Sequence, residues 1–290
     1  MNTAGMWCRL WIKRDDFPGK LPGTLVYIFH LRLYYSEMNY SKTISKALKI
    51  LNCFAGGNEY KSLSQIAEEV EIEKSTICRF LKTLERDSFI EQDKESKKYR
   101  LGNKVLLLGL SILNNLDTRK ELIPFMEELN KKYNQTVNLA VKHKNMILYL
   151  EVLKGKGYIH ELTSVGFQEP LYTTSMGKVF LAGMSIGELE EYFKETEFKK
   201  FTKNTITDID TLKKIIEKVK KDGYASNDEE TIDNLCANGV PIKDSGNKII
   251  AAVSVSFLKI SVDGPTRKEI IKDLLEVSRE ASRKFGYYGE

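Results

Sequence analysis

Apolar residues recur at helical spacing three times in succession between Thr43 and Arg86. In "TISKALKILNCFA", Ile44, Leu48, Leu51 and Ala55 share one side of a predicted helix, and "GGN" supplies its stop. In "SLSQIAEEV", Ser62 and Gln65 stand at the spacing of a capping box, and Leu63, Ile66, Ala67 and Val70 form an apolar face. After the short turn "EIE", Ile77, Phe80, Leu81 and Leu84 repeat at intervals of three and four. The period then falls to two. "FIEQ" and "KKYRLG" alternate like short strands around "DKES", which predicts a hairpin. Three helices, the last two tightly joined, followed by a hairpin predict a winged helix-turn-helix over residues 40–102.

The next segment, "NKVLLLGLSILNNL", is apolar almost all the way round and predicts a buried linker helix over 103–117. Two burials are open to it: against its counterpart in a second subunit, or against the remainder of its own chain. From 118 to 290 helical and strand patterns mix. "TRKELIPFMEELNKKYN" predicts a helix, and "TVNLAVKHKNMILYLEVLKG" a hairpin turning at Lys142–Asn145. "GYIHEL" predicts a strand and "TSMGKVFLAGM" a capped helix. "SIGELEEYFKE" and "DIDTLKKIIEKVKKDG" predict two amphipathic helices. "GYASNDEE" reads as a loop before the strands "LCANGVPI" and "KIIAAVSVSF", and a helix "TRKEIIKDLLEVSREASRKFG" closes the chain. The fold class is mixed α/β of the α+β kind, with helices bracketing a largely antiparallel sheet.

Charge changes the picture at the third helix. Ser75, Thr76, Arg79, Lys82 and Arg86 lie opposite its apolar face, and Lys97, Lys98 and Arg100 surround Tyr99 in the hairpin. A solvated face is the ordinary meaning of such a stripe. Its place as the second helix of a helix-turn-helix makes it the element that enters the major groove. Ser75, Thr76 and Arg79 would then approach base edges, Lys82 and Arg86 would meet phosphate, and the hairpin would follow an adjacent groove. A symmetric pair of such heads would read a near-palindromic operator. The net charge of +5 is too mild to argue for double-stranded DNA by itself.

Composition removes several other classes. The four cysteines are widely separated, so neither a disulfide framework nor a zinc site is predicted, which suits a cytoplasmic protein. The three histidines form no metal-binding spacing, and no metal or cofactor is expected. Residues 1–37 carry both tryptophans and no clean period. Their apolar run "TLVYIFHLRLYY" is too short and too interrupted for a membrane span. Met38 is the expected native start, the alternative being a real N-terminal arm.

Three stretches of the C-terminal part are candidates for a ligand pocket. In "PLYTTSMGKVFLA", hydroxyls and free amides gather at a helix start, which favours a carboxylate, although ordinary capping uses the same residues. In "GYASNDEETIDNLCANGVPI", Asn227 and Asp228 stand in the loop and Cys236 enters the strand. In "AAVSVSF", Ser254 and Ser256 share a face with Ala252. Together they would line a small polar cavity. An alternative from another class is a small-molecule-converting enzyme using Cys236 as nucleophile, against the more common inert core thiol.

The motifs "SKALKIL…SLSQIAEEVEIEKSTICRFLKTLERDSFIEQ…KKYRLG", "PLYTTSMGKVFLA" and "GYASNDEE…CANGVPIKDSGNKIIAAVSVS" resemble, in order and spacing from Lys42 to Phe285, the IclR family of bacterial transcriptional regulators. The resemblance implies a GAF-like effector-binding domain, a homodimer or tetramer, and control of transcription by a small metabolite, often an organic acid. It implies effector contacts at Ser175, Met176, Asn227, Asp228, Cys236, Ser254 and Ser256. The chain departs from the family pattern in two places. Asn227 stands where relatives have an acid, and "DNL" stands in place of a glycine before the cysteine, one residue short. The expected function is a ligand-responsive DNA-binding regulator, a repressor rather than an activator.

Overall fold

The alternation in "IIAAVSVSFL" sets the architecture of the larger part of the molecule. Ala251, Val253, Val255 and Phe257 are buried on one side of a strand, with Ala252 and Ser254 buried on the other. Such a strand belongs at the centre of a sheet covered on both faces. The computed structural model of this protein describes residues 41–54, 60–115, 117–155 and 163–289. The expected stop at 56–58, the strand at 157–162 and the segment 1–37 lie outside the described residues. The chain divides into two units, one up to Gly109 and one from Leu110 on.

The first unit holds α1 (Lys42–Asn52), α2 (Leu63–Val70), α3 (Lys74–Arg86), β1 (Ile90–Gln92) and β2 (Tyr99–Leu101). Ser62 accepts from the Gln65 amide while the Gln65 side chain accepts from the Ser62 amide, so α2 begins on a complete capping box. Ile50, Ile66, Ile77, Leu81 and Ile90 close the core beneath the three helices and the hairpin. Strands β1 and β2 pair antiparallel, with Ile90 opposite Leu101. Lys61 adds a bridge to Tyr99, and its ammonium is ion-paired with Glu69 on α2. The hairpin is thereby fastened to the helix that precedes α3.

Helix α4 (Asn103–Asn115) crosses the division between the units. Leu106 and Leu107 on its first half are 60% and 61% exposed.

Among the described residues the second unit holds a six-stranded antiparallel sheet in the order β5-β4-β3-β8-β7-β6. Its elements are α5 (Asp117–Tyr133), β3 (Thr136–His143), β4 (Met146–Leu153), β5 (Gln168–Pro170), α6 (Ser175–Ala182), α7 (Ile186–Glu195), α8 (Ile209–Asp222), β6 (Ala225–Asp228), β7 (Leu235–Lys243), β8 (Ile249–Leu258) and α9 (Gly264–Lys284). Helices α5 and α9 cover one face through Leu122, Met126, Ile270 and Leu274. The other face packs against α6 and α8 through Val179, Phe180, Leu212 and Ile216. The expected loop at Asn227 and Asp228 is instead β6, an edge strand paired with β7. Four residues at a sheet edge carry too little pattern to separate strand from loop.

Gly177 fixes how α6 enters. A Cβ there would stand 2.1 Å from the Leu171 carbonyl oxygen, so only glycine lets the helix start against the 3-10 turn Leu171–Thr173. Substitution Gly177→Ala is expected to cost about 3 kcal/mol, the upper end of ordinary overpacking. Urea unfolding of the purified chain measures it; an unchanged midpoint would show that this close approach is dispensable.

Candidate functional site

On α3, Ser75, Arg79, Lys82 and Arg86 fall within an arc of about 60° at 100° per residue. All four are exposed, while Ile77 and Leu81 on the far side are buried. Thr76 lies off this stripe and is half-buried. Arg86 bonds Asp87 through Nε and Nη2, each at 3.3 Å, so its guanidinium already has a carboxylate partner. In the hairpin Lys97 and Lys98 are exposed, Lys97 with a left-handed φ of 57°.

Arg100, like Arg86, already has a carboxylate partner. Its guanidinium donates to Glu91 at 3.2 and 3.0 Å and to the Tyr60 hydroxyl at 3.1 Å. Glu91 is its cross-strand partner in the β1–β2 register. Opposite charges placed face to face across strands support the pairing of the hairpin, modestly for a pair this exposed.

In the second unit a cavity of about 40 Å³ lies where α6 meets the sheet. Ser175 and Met176 line it from the first turn of α6, Asn227 from β6, and Ser254 and Ser256 from β8. The Thr174 side chain caps α6 by accepting from the Gly177 amide at 2.9 Å. The Ser175 and Met176 amides, one turn earlier than any intrahelical partner, remain available at the positive end of the helix. Gly239 on β7 permits their approach to the sheet. A Cβ there would meet Ser175 Oγ at 3.0 Å and Met176 N at 3.2 Å.

The serines are oriented from the neighbouring strand. Asn138 pairs with Ser254 across β3 and β8 and donates to Ser256 Oγ at 2.9 Å and Ser254 Oγ at 3.4 Å. Asn227 donates to the Thr173 carbonyl at 2.7 Å and accepts from the Glu230 amide at 2.9 Å. A carboxylate could not donate to that carbonyl. The asparagine, one of the two departures from the family pattern, thus ties the α6 entry to the segment after β6.

Asp228 and Cys236 do not line the cavity. They are cross-strand partners on β6 and β7, one residue out of phase with Asn227 and Ala237, which do line it. Successive strand residues point to opposite faces, so neighbours cannot share a wall. The Cys236 thiol donates to Asp228 Oδ1 at 3.1 Å and joins the core beneath α9. Burial, followed by its bond to the Asp228 carboxylate, pushes the thiol up to about 12. Such a thiol is a poor nucleophile, which removes the geometric basis of the enzymatic alternative. Among the described residues no group of His, Cys, Asp and Glu could hold a metal ion, and no helix is long and apolar enough to cross a membrane.

Among the participants not assigned to this site from the sequence are Asn138, Tyr149 and Glu169 at the cavity wall and the Lys178–Glu230 pair behind it. Lys178 and Glu230 are almost fully buried, with 1% and 6% of their side chains exposed. Lys178 also donates to the Ser226 carbonyl at 2.9 Å. Burial pushes the lysine down and the carboxyl up, each opposed by attraction to the other.

The arrangement has known counterparts. The model of the IclR helix-turn-helix domain matches residues 43–94, and that of the bacterial transcriptional regulator IclR C-terminal domain matches 110–283. The chain belongs to the IclR family of bacterial transcriptional regulators. It is 28% identical over 248 residues to the HTH-type transcriptional regulator KdgR of Escherichia coli K12, covering 85% of this chain and 94% of that one. It is 27% identical over 246 residues to XynR of the same organism, covering 85% and 98%. The crystal structure of the Thermotoga maritima IclR matches with a TM-score of 0.66 and 31% identity, over 86% of this chain and all of that one. A homologue from Microbacterium hydrocarbonoxydans, complexed with 4-hydroxybenzoate, shares the fold at a TM-score of 0.73 and 22% identity, over 84% and 100%. This IclR-family protein is therefore a ligand-responsive DNA-binding transcriptional regulator and not an enzyme.

In this regulator the buried ion pair holds α6 to the β6–β7 connection. Lys178→Met alone is expected to cost about 3–5 kcal/mol by stranding Glu230. The double variant with Glu230→Met should recover most of that loss. Unfolding free energies in a double-mutant cycle measure the coupling; additive losses would mean that the two side chains do not depend on each other.

Proposed function

We propose that the cavity at the start of α6 is the effector site, that its ligand is a small organic acid, and that the protein acts as a repressor. The observation that carries this reading is the convergence of available α6 amides with the hydroxyls of Ser175, Ser254 and Ser256 on one cavity. Helix-terminal amides and hydroxyls stabilise a carboxylate without a cationic side chain. Asn227 belongs to the site as the fastener of its rim, while Asp228 and Cys236 act from the opposite face of the sheet.

The DNA contacts are proposed for the exposed stripe of α3. Ser75 and Arg79 stand toward its N-terminal end, with Thr76 beside them. Lys82 stands nearer phosphate, Arg86 contributes from its pair with Asp87, and Lys97 and Lys98 serve from the hairpin. A homodimer through α4 supplies the second head. Support comes from the leucine-rich face that α4 leaves exposed in one chain, since a run of large apolar side chains on a helix calls for a cover. Dimers pairing two heads would read a near-palindromic operator from the cytoplasm, and pairing of dimers into a tetramer extends the same logic. Ligand that binds two subunit arrangements unequally then shifts operator affinity by that difference.

Fluorescence anisotropy with DNA from upstream of the protein's own gene tests the head. Arg79→Ala should weaken binding by about 1–3 kcal/mol while leaving ligand affinity unchanged. Binding should also weaken steeply as salt rises. Equal binding by variant and parent would remove α3 as the groove-reading helix.

A further inference from the structure

Five hydroxyls on the cavity wall are loaded in the same sense. Thr136, Thr174, Thr231, Ser254 and Ser256 all line the cavity. Thr136 Oγ1 accepts from the Gly155 amide at 3.4 Å, and Thr174 Oγ1 from the Gly177 amide at 2.9 Å. Thr231 Oγ1 accepts from Asn227 Nδ2 at 3.2 Å. Ser254 and Ser256 both accept from Asn138 Nδ2, at 3.4 and 2.9 Å. A hydroxyl that accepts still has one hydrogen to give. None of the five donates to a described residue.

Asn138 loads two of them. It is buried, and its Oδ1 has no hydrogen-bond partner among the described residues. Turning the amide over would offer the serines an acceptor and strand the Nδ2 hydrogens instead. Buried N–H groups are left bare more rarely than buried carbonyls, so the amide faces the serines with its nitrogen. The row Asn138, Ser254 and Gly239 crosses β3, β8 and β7 on one face of the sheet. A Cβ on Gly239 would stand 3.2 Å from the Met176 amide nitrogen. Neighbouring strands lie about 4.8 Å apart, which sets Ser254 one strand from the start of α6. The lining carboxyl, Glu169, belongs to β5, three strands from β8, and takes the Tyr149 hydroxyl.

Resting on the proposal that this cavity is the effector site, we infer that Asn138 is a positioning residue that turns the Ser254 and Ser256 hydroxyls into donors, so that the cavity selects an ionised acceptor over its neutral, hydrogen-donating isostere. A carboxylate accepts from these hydroxyls and from the α6 amides. A primary amide of the same shape sets its own N–H hydrogens against them, which is discrimination by an unmatched donor.

Ligand-observed NMR titration of the full chain with formate and formamide tests this. Each probe has three non-hydrogen atoms, and at about 10–15 Å³ apiece the 40 Å³ cavity holds about three water-sized groups. Formate should bind at least about tenfold tighter than formamide, the scale of a hydrogen bond to a charged group. Asn138→Leu removes the donor without adding charge. It should weaken formate about tenfold and leave formamide within about twofold, whereas loss of a merely structural contact would weaken both alike. Asn138→Asp draws the serine hydrogens to its own carboxylate and should reverse the preference. Ala237→Val narrows the cavity from β7 and should weaken both probes. Equal affinity of the parent for the two probes overturns the role of Asn138 while leaving the cavity as the site. So does formate binding that Asn138→Leu leaves unchanged or weakens only as much as formamide, or a preference for formate that survives Asn138→Asp. Absence of formate binding, or binding undiminished by Ala237→Val, overturns the cavity as an acid site and this inference with it.

Discussion

The ion pair between Lys178 and Glu230 is the constraint on which the effector unit depends. It joins the second turn of α6 to the segment after β6, and Lys178 reaches one further acceptor on the Ser226 carbonyl. Two charges withdrawn from water tolerate little displacement, because each is the other's principal compensation. Around this fixed point the rest of the rim is tied: Asn227 to Thr173, Thr205 to the Glu230 carbonyl, and Thr202 to the Glu229 carbonyl. The first turn of α6 therefore stands over the sheet at a set height. Gly177 and Gly239 remove the two methyl groups that would prevent it.

In that arrangement the proposed acid would meet a cavity without a lining cation among the described residues. The favourable potential comes from backbone amides at a helix start, and the hydroxyls of Ser254 and Ser256 are aimed by Asn138. These groups are preorganised by the fold, so little reorganisation opposes ligand entry. The segment that carries Asn227 and Glu230 also carries Asp228, whose carboxylate is held below its ordinary range, chiefly by the Cys236 thiol. The acidic run thus divides its residues between the two faces of the sheet. One set fastens the cavity and the other seals the strand edge beneath α9.

Much of this was legible in the chain because it is local. Caps, apolar periods and the hairpin of the first unit each fall within a dozen residues, and those elements form where the pattern puts them. On α1, however, the expected face is not the buried one: Ile44 and Leu48 are exposed and Ile50 enters the core. Ser175, Met176, Asn227, Ser254 and Ser256 share the cavity, two of them on one strand with matching parity. Asp228 and Cys236 were grouped with them by motif, although strand parity separates each from its neighbour on the wall. Arg100 is a surface cation whose pairing with Glu91 was not legible, because the two become opposite only when the hairpin closes. Tyr149 and Glu169 needed the β4–β5 register, which no spacing in the sequence encodes. The Lys178–Glu230 pair likewise spans 52 positions.

The central claim is that ligand capture occurs at the α6 entry and is felt through the rim that Lys178 fastens. Hydrogen–deuterium exchange on the full chain, with and without the acid that shifts operator binding, tests it most directly. Added protection is expected in 171–177 and 225–231, with α5 and α9 little changed. Protection confined to other elements, or no change in these two segments at saturating ligand, would contradict it.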